Sequence, residues 1–128
     1  MQYYFNKTLK CNFDEAIDKV TETLKKEGFG IITDIDVQHI FKKKLDIDFK
    51  KYKILGACNP SFAYKALLAE DKIGTMLPCN VIVQELDDNV VEVSAIDPIV
   101  SMQAINNSAL AEIADTVQNK LKRAIESL

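Results

Sequence analysis

Residues 81–96, VIVQELDDNVVEVSAI, decide the fold class of this 128-residue chain. Two runs rich in valine and isoleucine, 81–86 and 90–96, flank Asp87, Asp88 and Asn89. These three residue types tolerate the backbone angles of a tight turn, so the stretch predicts a β-hairpin. The protein should therefore contain a sheet with at least one antiparallel pair of strands.

Strands and helices alternate upstream of this hairpin. Period-two and period-3.6 patterns predict strands at 2–9, 31–37 and 52–58, and helices between Asn12 and Gly28, at 38–45 and at 60–70. A short helix should follow Asp97-Pro98, and a last helix with an apolar stripe should cover about 108–127. The order β-α-β-α-β-α-β-β-α-α predicts an α+β fold. We expect one compact domain over 1–128, with a mixed, mostly antiparallel sheet and helices mainly on one face.

Composition limits which partners are expected and indicates the cellular compartment. The net charge of −3 and the pI of about 5.2 provide no positive field for a polyanion, so nucleic acid is not an expected partner. No signal-peptide pattern and no run of about 18 apolar residues occurs, which predicts a cytoplasmic protein with no membrane partner. The three cysteines should then stay reduced, without a structural disulfide.

The dipeptide Cys-Asn occurs twice, as Cys58-Asn59 and Cys79-Asn80. Asn59 precedes Pro60, and an asparagine cap before a first-turn proline predicts a helix start. Amide groups at a helix start favour a thiolate, so we expect a reactive Cys58. If the strands that carry the two cysteines are neighbours, both sulfurs would meet at one rim. Cys58, Asn59, Cys79 and Asn80 are therefore candidate site residues.

Two interpretations of these cysteines remain open. Two thiolates can bind Cu(I), relay sulfur or form a reversible disulfide, and Met76 and Met102 could add thioether ligands. Alternatively, both cysteines are small core hydrophobes, which buried cysteines commonly are. A structural zinc site is not expected, because the sequence contains no CxxC motif and no His/Cys cluster. No sequence motif indicates a cofactor.

Asp34 and Asp36 are further candidates. The alternation in 31–37 predicts a half-buried strand with both carboxylates on one face, where they could act as acid, base or hard-metal ligands. The alternative is a solvated face, with Asp36 capping the next helix. His39, the only histidine, could pair with Asp36, but no nucleophile motif such as GxSxG accompanies it.

Three blocks carry a family resemblance: GFGIITDIDV at 28–37, YKILGACNP at 52–60 and LPCNV at 77–81. Together with Asp97-Pro98, they resemble, in order and spacing, the motifs of the bacterial and archaeal family called domain of unknown function 302. The resemblance implies a small α+β fold that tends to form homodimers. It implies no established reaction.

Two functional hypotheses follow. The first is a non-catalytic homodimeric module that binds a small ligand or a partner protein. It is favoured because no complete catalytic set can be assembled, and the long apolar stripe of the last helix supports a dimer. The second is a thiol-dependent redox or sulfur-transfer protein, or a Cu(I) handler, that uses Cys58 and Cys79. Whether the protein is an enzyme stays open.

Overall fold

The predicted hairpin lies inside a five-stranded sheet in the structure, a computed structural model that describes residues 2–128. The strands are β1 (Tyr4–Leu9), β2 (Gly30–Asp36), β3 (Tyr52–Cys58), β4 (Cys79–Asp87) and β5 (Val90–Ile96). The α-helices are α1 (Phe13–Lys26), α2 (Val37–Leu45), α3 (Pro60–Ala69), α4 (Pro98–Ser101) and α5 (Ser108–Glu126). A 3₁₀ helix, Asp71–Met76, follows α3 and is the one described element that the sequence patterns did not predict.

Every neighbouring pair of strands is antiparallel, in the order β1-β5-β4-β3-β2. The turn between β4 and β5 contains Asp88 and Asn89, and Asn89 adopts a φ of 56°. An asparagine tolerates this left-handed angle better than most residues, which is why the turn forms here. The predicted α+β class and the antiparallel character of the sheet are confirmed.

The main core lies between one face of the sheet and helices α1 and α5. The sheet contributes alternate residues whose side chains are almost fully buried: Leu55, Ala57, Val81, Val83, Val91, Val93 and Ala95. Helix α5 buries Leu110, Ala114, Val117, Leu121, Ala124 and Ile125 along one stripe. These side chains are already buried within the domain, so the apolar stripe of α5 is not evidence for a dimer.

The caps of α1 fix where that helix begins and ends. The Asn12 side chain accepts a hydrogen bond from the Glu15 N–H at 2.9 Å, as predicted. Gly28 has a φ of +90°, and the Phe29 N–H donates to the Leu24 carbonyl at 2.9 Å, which completes a Schellman motif. These contacts hold the chain that leads into β2.

The prediction of a half-buried β2 was wrong. The strand lies at the edge of the sheet and contains no buried residue. Its register also shifts between Ile31 and Thr33, so Ile31 pairs with Ala57 while Ile35 pairs with Ile54 on the opposite face. A bulge of this kind inverts the alternation on which the sequence argument depended.

Candidate functional site

The two cysteine-containing segments meet at one end of the sheet. Strands β3 and β4 are neighbours, and Ala57 is the register partner of Cys79. Cys58 is the last residue of β3, and helix α3 begins two residues later at Pro60. The predicted helix start is confirmed, and the two strands are neighbours, which was the condition for both cysteines to lie at one rim.

These segments border an apolar cavity of about 50 Å³ beneath α3 and α5. Cys58, Asn59 and Cys79 all line it, and so does Met102, whereas Met76 does not. The other walls are apolar side chains from both helices and from the chain around them: Phe29, Ala57, Phe62, Ala63, Ala66, Leu77, Pro78, Pro98, Leu110, Ile113, Ala114 and Val117. Three of the six candidate residues therefore share one cavity.

The cavity exists because small side chains face it. Ala63 and Ala66 are one helical turn apart on α3, and Ala114 faces them from α5. Sequence reasoning assigned no role to these alanines. Two alanines spaced by three on one helix face were the only sequence signal for the cavity, and that pattern also occurs in ordinary close helix packing.

Asn59 holds the N-cap position of α3, but its side chain makes no capping hydrogen bond, so the predicted capping contact was wrong. Its Nδ2 donates instead to the carbonyl of Glu27, at the end of α1, over 3.4 Å. A Cβ on Gly28 would lie 2.8 Å from this Nδ2. The Asn59 side chain thus links the start of α3 to the end of α1. It passes so close to residue 28 that only glycine fits there.

The two thiols differ in environment. Cys58 is half-buried, whereas Cys79 is buried, and both are free. Burial, and to a smaller extent the nearby Cys58, raise the pKa of Cys79 to about 11. Cys79 is therefore a neutral thiol at neutral pH. The third cysteine, Cys11, is buried elsewhere in the core and does not line the cavity.

Asn80 does not join the cavity. It pairs with Gly56 on the face of the sheet opposite the buried neighbours Cys79 and Val81, and it is exposed. Alternation along a strand separates the side chains of consecutive residues in this way. The second Cys-Asn pair thus contributes only its cysteine to the cavity.

The two aspartates are far from this arrangement and line no part of the cavity. The Asp34 carboxylate forms an ion pair with Lys53 Nζ at 3.2 Å. Asp36 Oδ1 accepts a hydrogen bond from the His39 backbone N–H at 3.0 Å, which confirms it as the cap of α2. Both carboxylates therefore have structural partners, and the described contact of His39 with Asp36 comes from its backbone.

Two absences concern only residues 2–128. In this range, no group of three or more His, Cys, Asp or Glu side chains is placed to hold a metal ion. None of the helices described there is both long enough and apolar enough to cross a membrane.

These features define an antiparallel α+β domain with an apolar, thiol-containing cavity under two helices. The chain belongs to the family described as domain of unknown function DUF302, whose model matches residues 5–128. It is similar to the crystal structure of an uncharacterized conserved DUF302 protein from Bacillus stearothermophilus, at 26% identity and a TM-score of 0.89 over 98% of each chain. Among curated proteins, no sequence matches this chain.

Proposed function

We propose that this protein is a non-catalytic module that binds a small molecule in the apolar cavity. The observation that supports this best is the wall of the cavity, which is formed almost entirely by apolar side chains from α3, α5 and the end of the sheet. Ligand sites typically combine such a wall with a few polar groups. Here Asn59 is that polar group, and no Ser-His-Asp or thiolate-base set accompanies it.

The size of the cavity further limits which ligands could bind. The cavity has a volume of about 50 Å³ and is partly open to solvent, so it admits only a narrow apolar end. Asn59 Nδ2 is engaged with Glu27, and its Oδ1 accepts no hydrogen bond from residues 2–128. A ligand with a short alkyl end and a hydroxyl or amide N–H beyond it would fill the space and donate to this oxygen.

A series of n-alkanols from methanol to pentanol tests this site. Affinity should rise about four-fold for each CH₂, since a buried CH₂ contributes about 0.8 kcal/mol, and then level off when the cavity is full. NMR shifts of the Ala57 and Ala114 methyl groups report binding at the correct place.

Ala66→Leu should abolish this binding because the larger side chain fills the cavity, and Ala63→Leu should do so if Ala66→Leu does not fold. The matched control is Ala111→Leu, which changes an exposed residue of α5 that is not in the wall. Unchanged alkanol affinity in a folded Ala66→Leu or Ala63→Leu variant would contradict the proposal.

A second candidate function is thiol chemistry at Cys58 and Cys79. The observation in its favour is that both cysteines line one cavity and that Cys58 contributes to the raised pKa of Cys79. Against it, Cys79 is a neutral thiol at neutral pH. A neutral thiol is a poor nucleophile, because the thiolate is the reactive form. The binding module is therefore preferred.

We also infer that the protein acts as a homodimer. Tyr64, Leu67 and Leu68 are 66%, 44% and 71% exposed on one face of α3, which is unusual for large apolar side chains. A second copy that packs the same three side chains against these, across a two-fold axis, would cover the apolar face of both copies.

Light scattering at micromolar concentration should report twice the 14.4 kDa chain mass. Leu68→Glu should give the monomer, because it brings two like charges, one from each copy, into the apolar contact. Leu86→Glu is the matched control, since Leu86 is 49% exposed near the hairpin and should not affect assembly. A wild-type particle of 14.4 kDa would refute the dimer.

We place the protein in the cytoplasm, because its three cysteines are free and a reducing compartment keeps them so. Cell fractionation that recovers it outside the cytosolic fraction would overturn this placement.

A further inference from the structure

The face of the sheet opposite the helix core carries a second cavity, of about 400 Å³. Three of the four tyrosines of the chain, Tyr3, Tyr4 and Tyr52, line it together with Glu92. It shares no lining residue with the apolar cavity. Its size lies in the range of small-molecule sites, about 300–1,000 Å³.

The aromatic rings form walls at different angles. The rings of Tyr3 and Tyr4 meet edge to face, with centroids 5.1 Å apart and planes at 75°. Burial raises the pKa of Tyr52, and the nearby Tyr3 and Glu92 raise it further. Tyr52 is the register partner of Gln84, and Gln84 is the register partner of Glu92, so Tyr52 and Glu92 lie in one row on the same face of the sheet.

Glu92 brings a negative charge to these rings. Its carboxylate accepts hydrogen bonds from Asn6 Nδ2 at 3.0 Å and from Gln84 Nε2 at 3.1 Å. Both donors are neutral, and within residues 2–128 the carboxylate forms no ion pair. The nearest ammonium contact on this network is Lys50 Nζ, which donates to Gln84 Oε1 at 2.6 Å. The carboxylate is thus held in place by two neutral amides, without a direct ion pair, while the Lys50 ammonium contacts the far side of one of those amides.

We propose that Tyr3, Tyr4, Tyr52 and Glu92 bind the methylated ammonium group of a small molecule. Aromatic faces attract cations through their negative quadrupole, and quaternary ammonium groups are recognised in this way because no hydrogen bond to water has to be replaced. Glu92 adds a Coulombic attraction in a partly desolvated position. An anion would be repelled by the same carboxylate, and a primary ammonium would lose more hydration on entering.

Choline is the probe, and 3,3-dimethyl-1-butanol is its neutral isostere. The chain has no tryptophan, so tyrosine fluorescence reports the site directly, and Tyr64→Phe removes the one tyrosine outside it. Choline should bind at least about ten-fold tighter than the isostere, because only the cation gains the interaction with the rings and the carboxylate.

Three variants test the assignment of the residues. Tyr52→Ala should weaken choline binding about five-fold or more, and Glu92→Gln about three-fold or more, whereas Tyr52→Phe should stay within about two-fold because it keeps the aromatic face. Tyr64→Phe is the matched control and should bind as the wild type does. Circular dichroism establishes that each variant is folded, and Tyr52→Phe and Glu92→Gln keep the test decisive if Tyr52→Ala is not.

Equal affinity for choline and the isostere would overturn the proposal, and so would a Glu92→Gln variant that binds choline as tightly as the wild type. No binding of choline up to about 10 mM would also overturn it, because cation–π sites of this kind give at least that affinity. The choline results are independent of the alkanol series, since the two cavities share no residue. The isostere is itself an alkanol, so its affinity for this site is taken from the tyrosine fluorescence alone.

Discussion

Replacing Gly56 by alanine should lower the free energy of unfolding by about 1–3 kcal/mol, the usual cost of overpacking a well-filled position. An alanine Cβ at this position would lie well inside van der Waals contact with Thr33 Oγ1 and 2.7 Å from Pro78 Cγ. Thr33 is the register partner of Gly56 on β2, and Pro78 precedes β4. The glycine therefore lets both neighbouring chains close over the centre of β3.

Urea melts of the wild type and Gly56→Ala measure this effect. Gly30→Ala is the matched control, because no atom lies within 4 Å of a Cβ built there, and its stability should stay within about 1 kcal/mol of the wild type. Adding Thr33→Ala to Gly56→Ala should restore part of the loss, because one of the two clashes is then gone. Equal midpoints for the wild type and Gly56→Ala would show that the strands can move apart at no cost.

The stability of the protein should fall as the pH rises from about 8.5 to about 11, by about 3 kcal/mol, through Cys79 alone. Burial, and then the neighbouring Cys58, raises the pKa of the Cys79 thiol to about 11 in the folded protein. In the unfolded chain, a cysteine loses its proton near pH 8.5. The unfolded state therefore binds fewer protons across this range, so stability is complete below it and is lost as the pH approaches the folded pKa.

Lysines and tyrosines titrate in the same range, so the comparison is between the wild type and Cys79→Ala in urea melts at several pH values. The difference in their free energies of unfolding should shrink with pH, because only the wild type carries this thiol. In a Cys58→Ala background, the total loss of stability that Cys79 causes between these pH values should be smaller, since this variant removes the second cause of the raised pKa. A difference that stays constant with pH would contradict the buried, neutral thiol.

The same pKa decides between the two candidate functions by alkylation. With iodoacetamide near neutral pH, Cys79 should stay unmodified in the folded protein, because its thiolate fraction is very small. Mild oxidation should then leave Cys58 and Cys79 unlinked. Rapid alkylation of Cys79, or a Cys58–Cys79 disulfide in high yield, would favour the thiol-dependent function over the binding module.

The local elements were determined by the sequence alone. The boundaries of β3 and β5 were predicted to the residue, because Pro60 and Pro98 mark where those strands give way to helices. Gly28 ended α1, and Asp36 capped α2, through contacts that span at most five residues. Such contacts are readable in a sequence because both partners lie in the same short segment.

The tertiary structure decided which residues meet. Three of the predicted site residues, Cys58, Asn59 and Cys79, share the cavity only because β3 and β4 are neighbours and α3 folds back over them. Asp34 and Asp36 are exposed because β2 is the edge strand of the sheet, although their alternation with isoleucines predicted a half-buried strand. Position within a sheet depends on pairing between distant segments, which local periodicity does not encode.

Both cavities are also features that only the tertiary structure decided. The apolar one results from alanines on two helices that lie about fifty residues apart in sequence, Ala63 and Ala66 on α3 and Ala114 on α5. The tyrosine cavity results from pairing of β1 with β5 and of β3 with β4, which brings Tyr4 and Tyr52 to one face. The sequence determined the strands and helices, because their signals are local. Only the packing of those elements decided where a ligand can bind, since each cavity is the space between side chains that the chain order keeps apart.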